Sequence, residues 1–175
     1  MENNTTASDN TAMGLSALAA TTTGANNTAV GASALLVNTT GSENVAVGKN
    51  ALDANNDAYN VAVGYNSLTA NTTGTRNVAI GAQALEANTT TSDNTAIGYM
   101  ALEENLASNN TAVGKDALTS NTTGSENVAV GLDALQANTT ASDNVGVGHS
   151  ALEANTTGAS NVAVGKNALG ANTTA

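Results

Sequence analysis

The five residues Asn44-Val45-Ala46-Val47-Gly48 recur, with small variations, along the whole chain. The leading Asn falls at Asn10, Asn27, Asn44, Asn60, Asn77, Asn94, Asn110, Asn127, Asn144 and Asn161, so successive units are 16 or 17 residues long. A Gly stands four residues after each leading Asn, and a Leu four residues after each Gly, from Leu18 to Leu169. Ten units in register set the fold class. One unit is too short to bury its own apolar face, whereas stacked units bury a continuous column, which is the physics of a solenoid. Disorder would not hold an apolar residue at Val47, Val63, Ile80, Ile97, Val113, Val130, Val147 and Val164, nor the Leu column. The expected organisation is a partial repeat arm over residues 1–9 and a repeat solenoid over residues 10–175. The expected fold is all-β: a parallel β-solenoid or β-roll, oligomeric or fibrous.

Within a unit, Val, Ile and Thr favour extended backbone, so Val-Ala-Val reads as a short strand with its branched residues on one face and Ala on the other. Gly ends the strand with a turn or a close backbone approach. The Asn-Thr-Thr-Gly-Ser stretch reads as a loop made of turn residues. The middle segment, Lys49 to Asn55, has helix-favouring residues. Stacked strands lie about 4.8 Å apart, however, and helices need about 8–10 Å. A straight stack therefore admits only a flattened turn or a short helical turn there. The interior is expected to hold one Val or Ile, one Leu and one Ala per coil, with the Ala column small enough for another backbone to approach. That is little burial against about 1–2 kcal/mol of backbone entropy per residue. Stacked Asn side chains, forming a ladder at the leading position, and association between chains are expected to supply the rest.

Composition removes other classes. Aromatic residues make up 2% and charged residues 10%, too few for an ordinary enzyme core and surface. There is no Cys, hence no disulfide, thiolate zinc site or Cys nucleophile. Lys49, Arg76, Lys115 and Lys166 are the only Lys and Arg residues against 14 Asp and Glu, a net charge of −10. Nucleic acid and anionic membrane surfaces are thus disfavoured as partners. No apolar run is long enough for membrane insertion by a helix, and residues 1–10 lack the apolar centre of a secretory leader.

Little else could carry chemistry. His149 is the only His and follows Gly148, at a position held in other units by Leu15, Ala32, Lys49, Tyr65 or Lys115; that variability marks a solvated surface site. No Ser-His-Asp set, His-cluster metal site or phosphate loop exists, so no catalytic residue, cofactor site or metal site is expected, and the chain reads as a non-enzyme. Asp9, Glu43, Asp93, Glu126 and Asp143 precede the leading Asn in an incomplete acidic column, read as edge charges that discourage sideways pairing. Asn38, Asn71, Asn88, Asn121, Asn138, Asn155 and Asn172 open Asn-Thr-Thr arms that are also glycosylation sequons, joined by Asn3, Asn4, Asn26 and Asn109. Turn chemistry is the preferred reading of these arms. Thr pairs such as Thr39-Thr40 and Thr72-Thr73 would form a regular hydroxyl array.

The Asn-Val-Ala-Val-Gly core with its polar return segment resembles the head repeats of trimeric autotransporter adhesins, which carry a similar Ser-Val-Ala-Ile-Gly-like core. That resemblance implies a left-handed parallel β-roll assembled as a trimer. The longer Asn-Thr-Ala-Val-Gly, Ala-Leu, Asn-Thr-Thr unit also looks like repeats of phage and giant-virus fibre proteins. The likeness spans Asn10 to Ala175, but this unit is longer than the adhesin one and adds the Leu and the Asn-Thr-Thr arm. The expected function is structural: a rigid fibre, filament or adhesin head at an extracellular, cell or virion surface. The expected partners are other copies, in a head-to-tail filament or homotrimer, and a cell-surface glycan. Head-to-tail addition, or else a place within a longer repeat array whose neighbouring units do the capping, is expected because the last unit runs unaltered to Ala175 and Asn4-Thr5-Thr6 carries the same arm. The alternative is a carbohydrate- or ice-binding module using the Thr/Asn face.

Overall fold

A computed structural model describes residues 3–174 as one stack of parallel coils, so that Ala175, the final residue of the expected repeat region, lies outside the described residues. Each unit contributes one three-residue strand: β1 (Thr11–Met13), β2 (Thr28–Val30), β3 (Val45–Val47), β4 (Val61–Val63), β5 (Val78–Ile80), β6 (Thr95–Ile97), β7 (Thr111–Val113), β8 (Val128–Val130), β9 (Val145–Val147) and β10 (Val162–Val164). The strands form a single sheet in sequence order. All pairs are parallel, and equivalent residues of neighbouring units lie side by side, as Ala46 does between Ala29 and Ala62. The two 16-residue units, which link β3 to β4 and β6 to β7, keep this register. The protein is therefore an all-β solenoid of about nine turns. The described residues contain no helix, so the middle segment resolves as turns. In the third coil, the Ala51 N–H donates to Gly48 O at 3.4 Å and the Asn55 N–H to Leu52 O at 3.2 Å, closing two successive turns.

The strand faces are the reverse of what the sequence suggests. Ala29, Ala46, Ala62, Ala79, Ala96, Ala112 and Ala129 at the strand centres are fully buried. The flanking Val, Ile and Thr residues point outward, and Val47, Ile80 and Ile97 are exposed. The core per coil is thus Leu, strand Ala and the Ala before Leu, with no strand Val or Ile in it. Size explains the inversion. Gly146 replaces the strand Ala in β9, and a Cβ built there would lie 3.3 Å from Leu135 Cγ and 3.1 Å from Ala151 O. A methyl fits this gap between sheet and Leu, whereas a branched side chain would not. The small Ala column therefore packs against the chain's own Leu side chains and the backbone of its own turns.

The corners of each coil depend on left-handed backbone. Among the described residues, thirty non-Gly residues have positive φ, three per coil over ten coils: the residue before the leading Asn, the residue two before Leu, and Leu itself, the last at φ 50–53°. Such conformations cost of order 1–3 kcal/mol each and persist only where the surroundings enforce them. Here the surroundings are the adjacent coils. Glu43 N–H donates back to Ala25 O (3.0 Å), Ser33 N–H back to Leu15 O (2.9 Å), and Leu35 N–H forward to Ala51 O (3.1 Å). Most left-handed residues inside the stack bend the chain while aiming their N–H along it, at a carbonyl of the adjacent coil. The Gly that ends each strand goes further, with φ between 125° and 142°. At Gly81, a Cβ would lie 2.2 Å from Gly98 O of the next coil, so the close approach expected here is with a neighbouring turn of the same chain.

Candidate functional site

Two buried columns of Asn run the length of the stack. In the first, the backbone N–H of every leading Asn from Asn27 to Asn161 donates to Oδ1 of the leading Asn one coil earlier, at 2.8–3.1 Å. Asn27, Asn44, Asn60, Asn77, Asn94, Asn110, Asn127 and Asn144 are fully buried. This is the expected ladder, in a mixed form: a side-chain carbonyl caps a main-chain donor at each junction.

The second column starts at Thr21 and continues through Asn38, Asn55, Asn71, Asn88, Asn105, Asn121, Asn138 and Asn155, all fully buried. Here Nδ2 donates to Oδ1 of the preceding coil, as in Asn71 to Asn55 (2.7 Å), Asn121 to Asn105 (2.7 Å) and Asn138 to Asn121 (3.0 Å). In most coils the two columns converge on one carbonyl; in the Ala107 coil only Asn105 reaches it, and Asn94 Nδ2 donates to Thr91 Oγ1 and Ser92 O. Gly41 O accepts Nδ2 from Asn27 (2.8 Å) and from Asn38 (2.9 Å). Gly74 O accepts from Asn60 and Asn71, and Gly124 O from Asn110 and Asn121, at 2.8–2.9 Å. A loop carbonyl that would otherwise be buried without a partner is thus held by two neutral amides.

Asn55 and Asn105 are the members that sequence reasoning missed. Their units drop one residue between the arm Asn and the clamped carbonyl, so they read Asn-Asn-Asp and Asn-Leu-Ala where other units read Asn-Thr-Thr. The only signal was the shared distance of three residues after Leu52 and Leu102. The shortening has a local cost. Asn55 Nδ2 turns to Asp57 O (2.8 Å), and Asn38 Oδ1 below it is left without a partner. At the other short coil, Thr91 Oγ1 donates to Asn88 Oδ1 and fills the gap.

The remaining candidates lie on the outside. His149 is exposed, as are the larger residues of its column, while Ala32 and Ala82 are half-buried. The acidic residues Asp9, Glu43, Asp93, Glu126 and Asp143 are exposed. Arg76 sits in the same column and forms a two-pronged pair with Asp93, Nε–Oδ1 2.6 Å and Nη2–Oδ2 2.8 Å, which holds the Asp93 carboxyl below its ordinary range. Lys49 lies over the Tyr65 ring at 5.9 Å; Lys115 lies over Tyr99 at 6.0 Å and also pairs with Asp116. Burial pushes the Glu103 carboxyl up, and the neighbouring charges of Glu86, Glu104 and Asp116 add to this. Burial also raises Asp53, whose Oδ1 has no partner.

Among the described residues, no group of three or more His, Asp or Glu side chains could hold a metal ion, and no pocket opens. The arm sequons Asn38, Asn71, Asn88, Asn121, Asn138 and Asn155 are sealed, with Nδ2 already donating; Asn3, Asn4, Asn26 and Asn109 are exposed. The first Thr of most pairs is committed too: Thr72 Oγ1 donates to Thr89 O (3.0 Å) and Thr122 Oγ1 to Thr139 O (2.9 Å). The second Thr is exposed, as at Thr123, Thr140 and Thr157 in consecutive coils. No protein-family model matches the chain, and no curated protein or solved structure does either.

Proposed function

We propose that this chain is a rigid structural rod whose copies associate into a fibre, filament or adhesin head at an extracellular, cell or virion surface. The observation that carries this reading is the pair of Asn columns. They spend the buried polar groups on joining each coil to the next, along the axis, and no pocket opens among the described residues. Ten strands at about 4.8 Å make a rod roughly 45 Å long. Stacking of further coils is supported by β10 and the turn after it, where Val162, Val164 and Leu169 are exposed although their equivalents inside the stack are more covered; a further coil, of this chain or of another copy, would cover them. Electron microscopy with small-angle scattering across concentration tests this. Rods roughly 45 Å long, or whole multiples of that length, are expected; isometric particles would refute it.

A second reading is favoured by the exposed Thr column. Thr123, Thr140 and Thr157 repeat at the coil spacing with hydroxyls facing solvent, a surface that could order water at an ice front or meet a glycan. Thermal hysteresis or a glycan-array signal lost on Thr140→Val would support it. A rod with neither property would leave the structural reading alone.

A further inference from the structure

We infer that the strand face is a docking surface for a second copy of this chain, laid face to face with the two rod axes pointing the same way. This rests on the structural, self-associating reading above and specifies its lateral contact. On the outer face of the sheet, two columns flank the buried Ala: Thr or Val on one side, and Met13, Val30, Val47, Val63, Ile80, Ile97, Val113, Val130, Val147 and Val164 on the other. No charged residue interrupts either column. The face is uncharged, mostly apolar and ten strands long. Exposed apolar patches of this extent mark contact surfaces.

The edges of the face carry opposite signs. The residues before the leading Asn line the edge where the strands begin, and all the exposed acids of that column (Asp9, Glu43, Asp93, Glu126, Asp143) lie there. The residues after Gly line the edge where the strands end. Lys49, Lys115 and Lys166 stand there with His149; Lys49 and Lys115 lie over tyrosines of the same column, and Lys115 also pairs with Asp116, so that Lys49 and Lys166 carry most of the free positive charge. Three of the chain's four Lys and Arg residues are thus on one edge. The fourth, Arg76, is on the acidic edge and is paired with Asp93 there.

This polarity selects the arrangement. Two copies can meet face to face about a two-fold axis along the strands or along the rod. The first sets acidic edge against acidic edge. The second reverses the partner's strands and sets each acidic edge against a basic one. Aligned coil for coil, Glu43 faces the partner coil that carries Lys49. Glu126 lies one coil from the partner's equivalent of Lys115. Asp143 meets the coils of His149 and Lys166. Like-charge edges select against the wrong partner geometry, and complementary ones fix register. The area suffices: about 45 Å of length by roughly 17–20 Å of width gives on the order of 800 Å² per copy, the size of a standard stable interface.

The chain has no Cys, so disulfide trapping reads the geometry directly. Glu43→Cys and Lys49→Cys are made as separate variants and oxidised alone and mixed. A covalent dimer that forms only in the mixture, over a concentration-dependent dimer in sedimentation, is the expected result. Cross-linking of either variant alone, a trimer, or a monomer at all concentrations would overturn the proposal. The paired reversal Lys49→Glu with Lys115→Glu should weaken dimerisation by at least about tenfold, and adding Glu43→Lys with Glu126→Lys should restore it. These residues are exposed, so circular dichroism should not change. Weakening without restoration would remove the charge argument. A rod-shaped monomer in scattering would leave the structural reading standing while this contact fails.

Discussion

Asn77→Ala tests the feature on which the stack depends. The Asn77 side chain donates through Nδ2 to Thr91 O (2.8 Å) and to Asn60 Oδ1 (3.3 Å), while its Oδ1 accepts from the Asn94 N–H (3.1 Å) and from Asn94 Nδ2 (3.2 Å). Truncation removes these bonds together. The two lost donations weigh about 1 kcal/mol each, and the stranded Asn94 N–H, fully buried, adds about 1–3 kcal/mol. Thr91 O keeps only the Asn88 donor (3.2 Å). The sum is roughly 3–5 kcal/mol. Thr90→Ala, at an exposed site in the same coil, should stay within about 0.5 kcal/mol. Asn66 would not serve as a surface comparator, because it is left-handed and bonds Asn50 and Glu86. Urea unfolding followed by circular dichroism gives the midpoints, and native-state hydrogen exchange reads the Asn94 amide. Asn77→Asp separates donor from acceptor, because it keeps the acceptor but places a buried charge against Thr91 O. Burial raises the folded pKa of that carboxyl, so its stability deficit should shrink as pH falls through it. Equal midpoints for Asn77→Ala and Thr90→Ala, with Asn94 protection unchanged, would refute the ladder as a source of stability.

Leu85→Asp puts a charge into a fully buried site and should unfold neighbouring coils at a cost of several kcal/mol, while Ala82→Asp on the outer column should be nearly silent in the same urea titration. Gly81→Ala and Gly165→Ala both strain a left-handed glycine, but only the first meets a carbonyl at 2.2 Å; at Gly165 nothing lies within 4 Å, so calorimetry should show a markedly lower Tm for the first alone. Glu103→Gln should stabilise the fold at neutral pH. The folded Glu103 carboxyl is raised, so its penalty is complete above the folded pKa and fades as acid protonates it, and the variant's advantage in melting should vanish toward acidic pH. Leu106→Asn should raise the unfolding free energy from urea titration by about 1 kcal/mol, because Asn56 at the matching place in the other short coil accepts through Oδ1 from Thr39 and Thr40, and exposed Leu106 offers no acceptor.

The coil boundaries, the strands, the buried Leu and the leading Asn ladder were legible because each repeats at one position. The inward face was not. Val-Ala-Val at Val45–Val47 fits either side of a sheet, and ordinary hydrophobicity favours burying Val. The space between Gly146 and Leu135 decides for the smaller residue, and no single-coil argument contains that distance. Leu52 in left-handed backbone was illegible for a related reason: Leu has no such preference, and the bonds from adjacent coils impose the conformation. Asn55 and Asn105 hid behind a one-residue shift that moved their loop partners out of pattern. The charged edges were visible as columns, but their meaning waited on knowing which face of the strand looks outward.

The left-handed corners also set how such a rod answers to tension. A coil keeps its shape only while a neighbour receives its N–H groups, so a coil peeled from the end has no reason to stay bent. It occupies about 4.8 Å of rod, yet releases 16 or 17 residues that extend to roughly 55 Å. Pulled between two points on the chain, the stack would therefore lengthen in steps of about 50 Å, one coil at a time. Each step dissipates work and can be reversed when the load drops and the remaining end coil serves again as template. A stiff element built in this way gives by increments and does not snap.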